Sequence, residues 1–335
     1  MSNYQETLQS RVIQFSADVG ANPLLVQGAG GNVSWKAGDS LWVKASGTWL
    51  ADAQAENIFV EVDLGALKDQ LRSENFAATP VSLGDSTLKP SIETLLHALM
   101  PHPVVAHLHA VDVLAHLVRA DCDASLKAKL GNNCAWTSVG YQKPGALLAQ
   151  AVAEALAEKP DSDVIFLKNH GVVIGGETPE QILELLGLVV APLRCEILAM
   201  SDCNSSSGAA PYPQYTALAD SRLHRLATQS DLFKRLRQDW ALYPDHVVFL
   251  GPAACVYDSW EAFGTPEHLP ELIFVRGSGV YSKLPLNKAK AAQLGCYYDV
   301  LVRQPSDQQL TSLSQDDIQS LLNWDAEQYR IRFAK

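Results

Sequence analysis

Between Leu24 and Gly176 the chain alternates short apolar or β-branched runs, glycine-bearing turns and stretches of helical apolar spacing. That alternation of two hydrophobic periods restricts the fold to layers of helix and sheet. Residues 4–20 place Leu8, Val12, Ile13, Phe15 and Val19 at near-helical intervals until Gly20 and Pro23 break the pattern, which predicts an opening helix. The runs LLV (24–26), NVSW (32–35), LWVKA (41–45) and IFVEV (58–62) predict a meander of mainly antiparallel strands. Helices are expected at 64–73 and 91–101, a strand at VVAHLHA (104–110), and a helix at 146–159. Two strands around a turn are expected in DVIFLKNHGVVIGG (163–176), then a long helix at 179–200.

The stretch SDCNSSSGAAPYPQYT (201–216) is rich in Ser, Gly and Pro and has no periodicity, as in a linker or long loop. It separates a first domain, 1–203, from a C-terminal αβ extension, 217–335, whose role the sequence does not assign. In the extension a helix is expected near 216–239, strands at HVVFL (246–250) and ELIFVRG (271–277), and helices at 287–303 and 316–330. RGSGVYS (276–282) reads as a hairpin or a strand-to-helix connection.

A formal charge of −11 with no dense basic patch argues against nucleic acid as a partner, although one small anion needs only a helix N-terminus and a lysine or two. The six cysteines are scattered without a CxxC pair, as expected of reduced thiols. The polar N-terminus has no basic-then-apolar leader pattern and no run approaches the roughly 18 apolar residues of a spanning helix, so no membrane association and a cytoplasmic location are expected.

His107 and His109 lie two apart in an apolar run, and a strand sends residues i and i+2 to one face. Two imidazoles on one face are half of a metal site, or simply two structural histidines. His170, in the Asn169-His170-Gly171 interruption between two apolar runs, is the best third ligand, although any hairpin turn favours Asn and Gly there. His116, on a helical stretch, reads as a packing residue. Ser91 reads as an N-cap that puts Glu93 in a first helical turn, where a carboxylate complements the helix dipole whether or not it has a further use. The turns Gln27–Asn32 and Ser46-Gly47-Thr48 serve either as hairpin connections or as anion nests. His246, after Tyr243-Pro244-Asp245, reads as a turn residue within reach of a site.

The pieces G-x-G-G-N-x-S, a strand leading to S-G-T, Ser-x-Glu, H-x-H, and N-H-G followed by G-G-E occur in one order over residues 10 to 200. In that order the chain resembles the class II aldolase and adducin family. The wording of QGAGGNVSWK, LWVKASGTWL, YPDHVVFL and LLNWDAEQYR is similar to the aldolase portion of bifunctional rhamnulose-phosphate aldolase/dehydrogenases, and no dehydrogenase part is expected within these residues. The resemblance implies a layered α/β domain whose central, mainly antiparallel sheet is flanked by helices, in a homo-oligomer with a tetramer favoured. It implies a divalent metal, Zn²⁺ first and Mn²⁺ or Co²⁺ next, on His107, His109 and His170, with Glu93 as catalytic acid/base. Asn32, Ser46, Gly47 and Ser91 are implied to hold the substrate's phosphate.

The activity implied by the resemblance is that of an aldolase, which makes or breaks a C–C bond through a metal-stabilised enediolate of a phosphoketose or keto acid. The alternatives are an epimerase, decarboxylase or dehydratase of the same family, or an adducin-like scaffold without catalysis. One departure stands out. Family aldolases often carry two serines before the glutamate, whereas this chain has Ser91-Ile92. Either Lys44 or Lys89 compensates, or the substrate carries a carboxylate. Partial burial of Glu93 is expected to raise its pKa, against the pull of the cation.

Overall fold

A computed structural model of the chain describes residues 2–198, 209–264 and 268–333. The order is α1 (Ser2–Gly20), β1 (Asn32–Ala37), β2 (Ser40–Lys44), β3 (Phe59–Asp63), α2 (Leu64–Arg72), α3 (Thr94–Leu99) and β4 (Val104–Leu108). It continues with α4 (Val111–Leu117), α5 (Cys122–Leu130), β5 (Trp136–Val139), α6 (Ala146–Glu158), β6 (Val164–Leu167), β7 (Gly171–Gly176) and α7 (Pro179–Leu193). These strands form one seven-stranded sheet in the order β3-β2-β1-β4-β7-β6-β5. Every neighbouring pair is antiparallel except β5 and β6, so the sheet is mixed and mainly antiparallel, flanked by helices as expected.

Alternation along β4 divides the core between the two faces of the sheet. Val104, Ala106 and Leu108 join a cluster with Val12 and Phe15 of α1, Leu114 of α4 and Val189 of α7. Val105 joins Leu96 of α3, Val152 of α6, Ile165 and Val173 on the other side.

The remaining residues form β8 (Thr216–Ala217), α8 (Arg225–Thr228), α9 (Ser230–Gln238), α10 (Pro244–Leu250), β9 (Val256–Tyr257), α11 (Trp260–Phe263), β10 (Leu272–Val275), β11 (Gly279–Ser282), α12 (Lys288–Leu301), α13 (Gln315–Leu322) and α14 (Asp325–Phe333). A four-stranded sheet, β8-β11-β10-β9, holds the β10–β11 hairpin, so RGSGVYS is a hairpin. Its neighbours are not a separate layer. Leu226, Phe233, Val247, Tyr297 and Val300 belong to the same apolar cluster as Val12 and Leu108. Polar ties reinforce it: Arg303 Nε donates to Asp112 Oδ1 (2.9 Å) and Gln304 Nε2 to the Ala115 carbonyl (2.9 Å).

Some expected elements differ. LLV is a turn, because the Asn22 side chain accepts from the Leu24 N–H and its carbonyl accepts from Leu25 and Val26. HVVFL belongs to the helix α10, which begins with Pro244 in its first turn, where proline's fixed φ suits a helix. The expected helix at 216–239 is broken into β8, a 3₁₀ turn, α8 and α9, and the C-terminal one into α13 and α14. The expected helix at 179–200 stops at Leu193, and its last two positions lie outside the described residues. The five cysteines among the described residues are free, and Cys203 lies outside them. Among the described residues no helix is long and apolar enough to cross a membrane.

Candidate metal centre

His107 points to the α3 side of the sheet with Val105, as strand alternation requires. His109 lies just beyond the end of β4 and keeps the same side, its Nε2 3.1 Å from His107 Nε2. His170 comes from the β6–β7 turn. Asn169 takes a left-handed φ of 53° there, which asparagine tolerates better than most residues, and its amide donates to the Leu242 and Thr311 carbonyls (2.9 and 2.6 Å). The turn that aims His170 is thus held by the C-terminal part of the chain. The three buried histidines offer nitrogens that all lie within 4.8 Å of one another. Gly171 makes room for them: a Cβ there would lie 2.5 Å from the Leu108 carbonyl and 3.0 and 3.1 Å from the His109 and His107 rings.

Glu93 sits at the N-cap of α3, not inside its first turn, and its N–H donates to Ser91 Oγ (3.2 Å). The helix starts later than expected because Ala45 bridges Pro90 and the Ser46 N–H bonds the Lys89 carbonyl, which holds the preceding segment beside β2. Glu93 Oε1 lies 3.5 Å from His170 Nε2 and Oε2 lies 3.6 Å from His107 Nε2. Oε2 accepts from Asn32 Nδ2 (2.8 Å), Asn32 Oδ1 is bonded to His97 Nε2, and His97 Nδ1 lies 2.7 Å from Ser34 Oγ. All four residues are buried. Donors and acceptors match along the chain if Ser34 O–H donates to Nδ1 and His97 Nε2–H donates to Asn32.

Burial pushes His109 down to about 3 and His170 down to about 4, so both are neutral at physiological pH. Burial alone pushes Glu93 up. The imidazoles of His107 and His170 and the Asn32 amide outweigh it, and the carboxyl lies below its usual range, opposite to the sequence expectation. Glu93 Oε1 has no protein hydrogen-bond partner among the described residues. Three imidazoles beside an ionised carboxylate are a donor set suited to a divalent cation.

Asn32, Ser46, Gly47 and Ser91 all line the pocket that opens over Glu93, His109 and His170, with Ile92 among them. Lys44 is there too, but its ammonium is buried and donates to the Ala29 and Thr48 carbonyls (3.0 and 2.7 Å), and burial lowers it to about 7. Lys89 instead lies over the Tyr329 ring, 4.6 Å from its centroid. The Gly-rich turn packs against the histidines: a Cβ on Gly30 would meet Asp245 Oδ2 at 2.6 Å and His109 Nδ1 at 2.9 Å. His116 bonds Ser125 Oγ and the Leu193 carbonyl, as a packing residue does. His246 is packed among Trp240, Tyr243 and Tyr297, away from the histidine group.

Sequence reasoning missed three residues here. His97 had a signal, since it follows Glu93 by four positions and helical spacing puts such pairs on one face. Asp245 and Arg330 lie in YPDHVVFL and LLNWDAEQYR, two of the stretches that carry the resemblance, but no spacing or turn chemistry singled out either residue. Asp245 Oδ2 lies 3.5 Å from His109 Nδ1 and is bonded by Arg330 Nη2 (2.8 Å) and Gln293 Nε2 (3.2 Å).

The family model for the class II aldolase and adducin N-terminal domain matches residues 11–196. The chain belongs to this family. The L-fuculose phosphate aldolase of Methanocaldococcus jannaschii is 30% identical over 153 residues, 45% of this chain and 75% of that protein. The uncharacterized oxidoreductase YuxG of Bacillus subtilis is 31% identical over 179 residues, 48% of this chain. The chain spans only 25% of YuxG's length. Among solved structures, the N-terminal class II aldolase domain of a conserved protein from Thermoplasma acidophilum is 26% identical with a TM-score of 0.46, covering 55% of this chain and 90% of that one. The three-histidine group lies within the residues that the family model matches.

Proposed function

We propose that the protein is a metal-dependent aldolase that cleaves or forms a C–C bond in a phosphoketose or keto acid. His107, His109 and His170 hold the cation, with Zn²⁺ ahead of Mn²⁺ and Co²⁺, and Glu93 moves the proton. The observation that carries this reading is the buried Glu93 carboxylate, whose Oε2 is tied to Asn32 while Oε1 faces the imidazoles with no hydrogen-bond partner among the described residues. When bound, the cation supplies Lewis acidity toward a carbonyl and stabilises the negative charge that develops beside it.

The side chains do the rest. Neutral His109 and His170 are ready to ligate at physiological pH without losing a proton first. In cleavage the ionised Glu93 takes up the hydroxyl proton released as the aldehyde carbonyl forms and delivers it to the carbon left electron-rich, and in condensation the same proton moves in reverse. Asn32 fixes the other oxygen, so one lone-pair direction serves the reaction. Asn32, Ser46, Gly47 and Ser91 line the pocket that receives the substrate's anionic group, and Ile92 adds no hydroxyl.

The test is aldehyde release from ketose 1-phosphates and keto acids by protein purified with added Zn²⁺, Mn²⁺ or Co²⁺. Metal bound at about one equivalent, with aldehyde released from a ketose phosphate, supports the reading. Less than roughly a tenth of an equivalent of metal overturns it in favour of a non-catalytic scaffold. Turnover of acids alone, without aldehyde, redirects it to decarboxylation.

A further inference from the structure

The short helix α14 is pressed on the turns that surround the pocket. At Gly47, whose φ is +83°, a Cβ would fall 2.7 Å from Phe333 Cβ and 3.3 Å from the Arg330 carbonyl. Tyr329 lies under Lys89, and the preceding Trp324 ring comes within 3.3 Å of where a Gly145 Cβ would sit, with Lys143 4.4 Å from its centroid. The expected anion turn, Ser46-Gly47-Thr48, therefore has α14 seated on it.

From this helix Arg330, only 8% exposed, enters the pocket beside Ser46, Ser91 and Ile92. It carries the only guanidinium among the described residues that line this pocket. Asp245 takes Nη1 and Nη2 at 2.6 and 2.8 Å, and Glu327 lies 3.3 Å from Nη1. A guanidinium has five N–H donors, so these partners orient the fork and leave donors to spare. The other two cations considered for an anion are engaged elsewhere: Lys44 with two carbonyls and Lys89 with Tyr329.

We infer that Arg330 is the specificity-determining residue of this pocket. It receives an oxyanion of the substrate, phosphate ester or carboxylate, where Ile92 leaves a hydroxyl missing. This rests on the aldolase reading and names how that site selects an anionic substrate. It also gives the C-terminal segment a role in the site.

Wild type, R330M and R330K, each as the metal-loaded full chain, are titrated calorimetrically with inorganic phosphate and with acetate. They are also assayed on a ketose 1-phosphate and on the same ketose without phosphate. R330M is expected to weaken the preferred anion about 30-fold and to raise KM for the phosphorylated or carboxylated substrate similarly. Whatever follows from leaving Asp245 unpaired falls on both substrates, so kcat/KM should drop at least about tenfold more on the charged ketose than on the neutral one. R330K keeps the charge beside Asp245 without the fork and should weaken the anion about fivefold, which decides the matter if R330M does not fold. The anion that loses more affinity tells phosphate from carboxylate. Anion binding unchanged in the variants, no anion binding by wild type, equal loss on charged and neutral ketose, or loss of metal overturns the inference. Failure of wild type to cleave either ketose counts against the aldolase reading, and the two titrations still judge Arg330.

Discussion

Glu93 shows how a few neighbours set the use of one carboxylate. Its burial opposes ionisation, yet Asn32 and the imidazoles hold it charged, with Oε1 turned to the histidines. Glu93→Gln keeps the shape and an acceptor for Asn32 but cannot take a proton. The variant should bind its full complement of metal and lose at least about a hundredfold in kcat; near-normal turnover would remove Glu93 from the chemistry. His97 acts one step away, as a positioning residue. His97→Leu leaves Ser34 and Asn32 Oδ1 without their partner, and kcat should fall roughly 10- to 100-fold with KM and metal content little changed. His97→Gln, which restores a donor toward Asn32, should recover part of the loss. A variant as active as wild type would show that Asn32 needs no orienting. The i, i+4 spacing of Glu93 and His97 was visible in the sequence, but His116 lies on a helix too, and spacing alone does not say which imidazole meets a carboxylate.

At the scale of elements, strand period was the most legible feature. It put His107 and His109 on one face before any contact was known. The short apolar run HVVFL was not legible, because its helix is buried and such a run carries no periodicity that separates strand from helix. Nor was the late start of α3, which depends on a bridge between Ala45 and Pro90. The β6–β7 turn joins local and distant causes. Asn169 suits the left-handed conformation by itself, but Leu242 and Thr311 pin its side chain. Asn169→Ala loses both and should cost about 2–4 kcal/mol in urea unfolding, with weaker metal retention as His170 loosens. A cost below about 0.5 kcal/mol would mean that the turn holds itself.

Over the whole molecule, one apolar cluster runs from α1 through the sheet to α12, and its Trp240, Tyr243 and Tyr297 enclose the His246 imidazole. Burial lowers His246 to about 3 from 6.5, and His97 likewise to about 3. Between those values the unfolded chain binds protons that the folded chain refuses. Stability is therefore full above about pH 6.5 and falls as the pH drops toward 3, by about 1.4 kcal/mol per pH unit for each such histidine. Urea unfolding between pH 6.5 and 5 should show this decline, and His246→Phe should make the slope shallower by about one histidine's share. Equal slopes in the two proteins would contradict the burial cost assigned to His246.

By itself the sequence determined the layered α/β plan, the shared face of His107 and His109, and the turn carrying His170, because periodicity and turn chemistry are local. It also carried the family, through motifs whose order no single turn or strand could supply. Only the tertiary structure brought Asp245 to His109, Arg330 over Gly47, and the Leu242 and Thr311 carbonyls to Asn169. Those contacts join positions far apart in the chain, and they exist because a shared apolar core packs the C-terminal helices against the sheet. No local pattern encodes such a meeting, since burial rewards the area covered and not the sequence distance crossed.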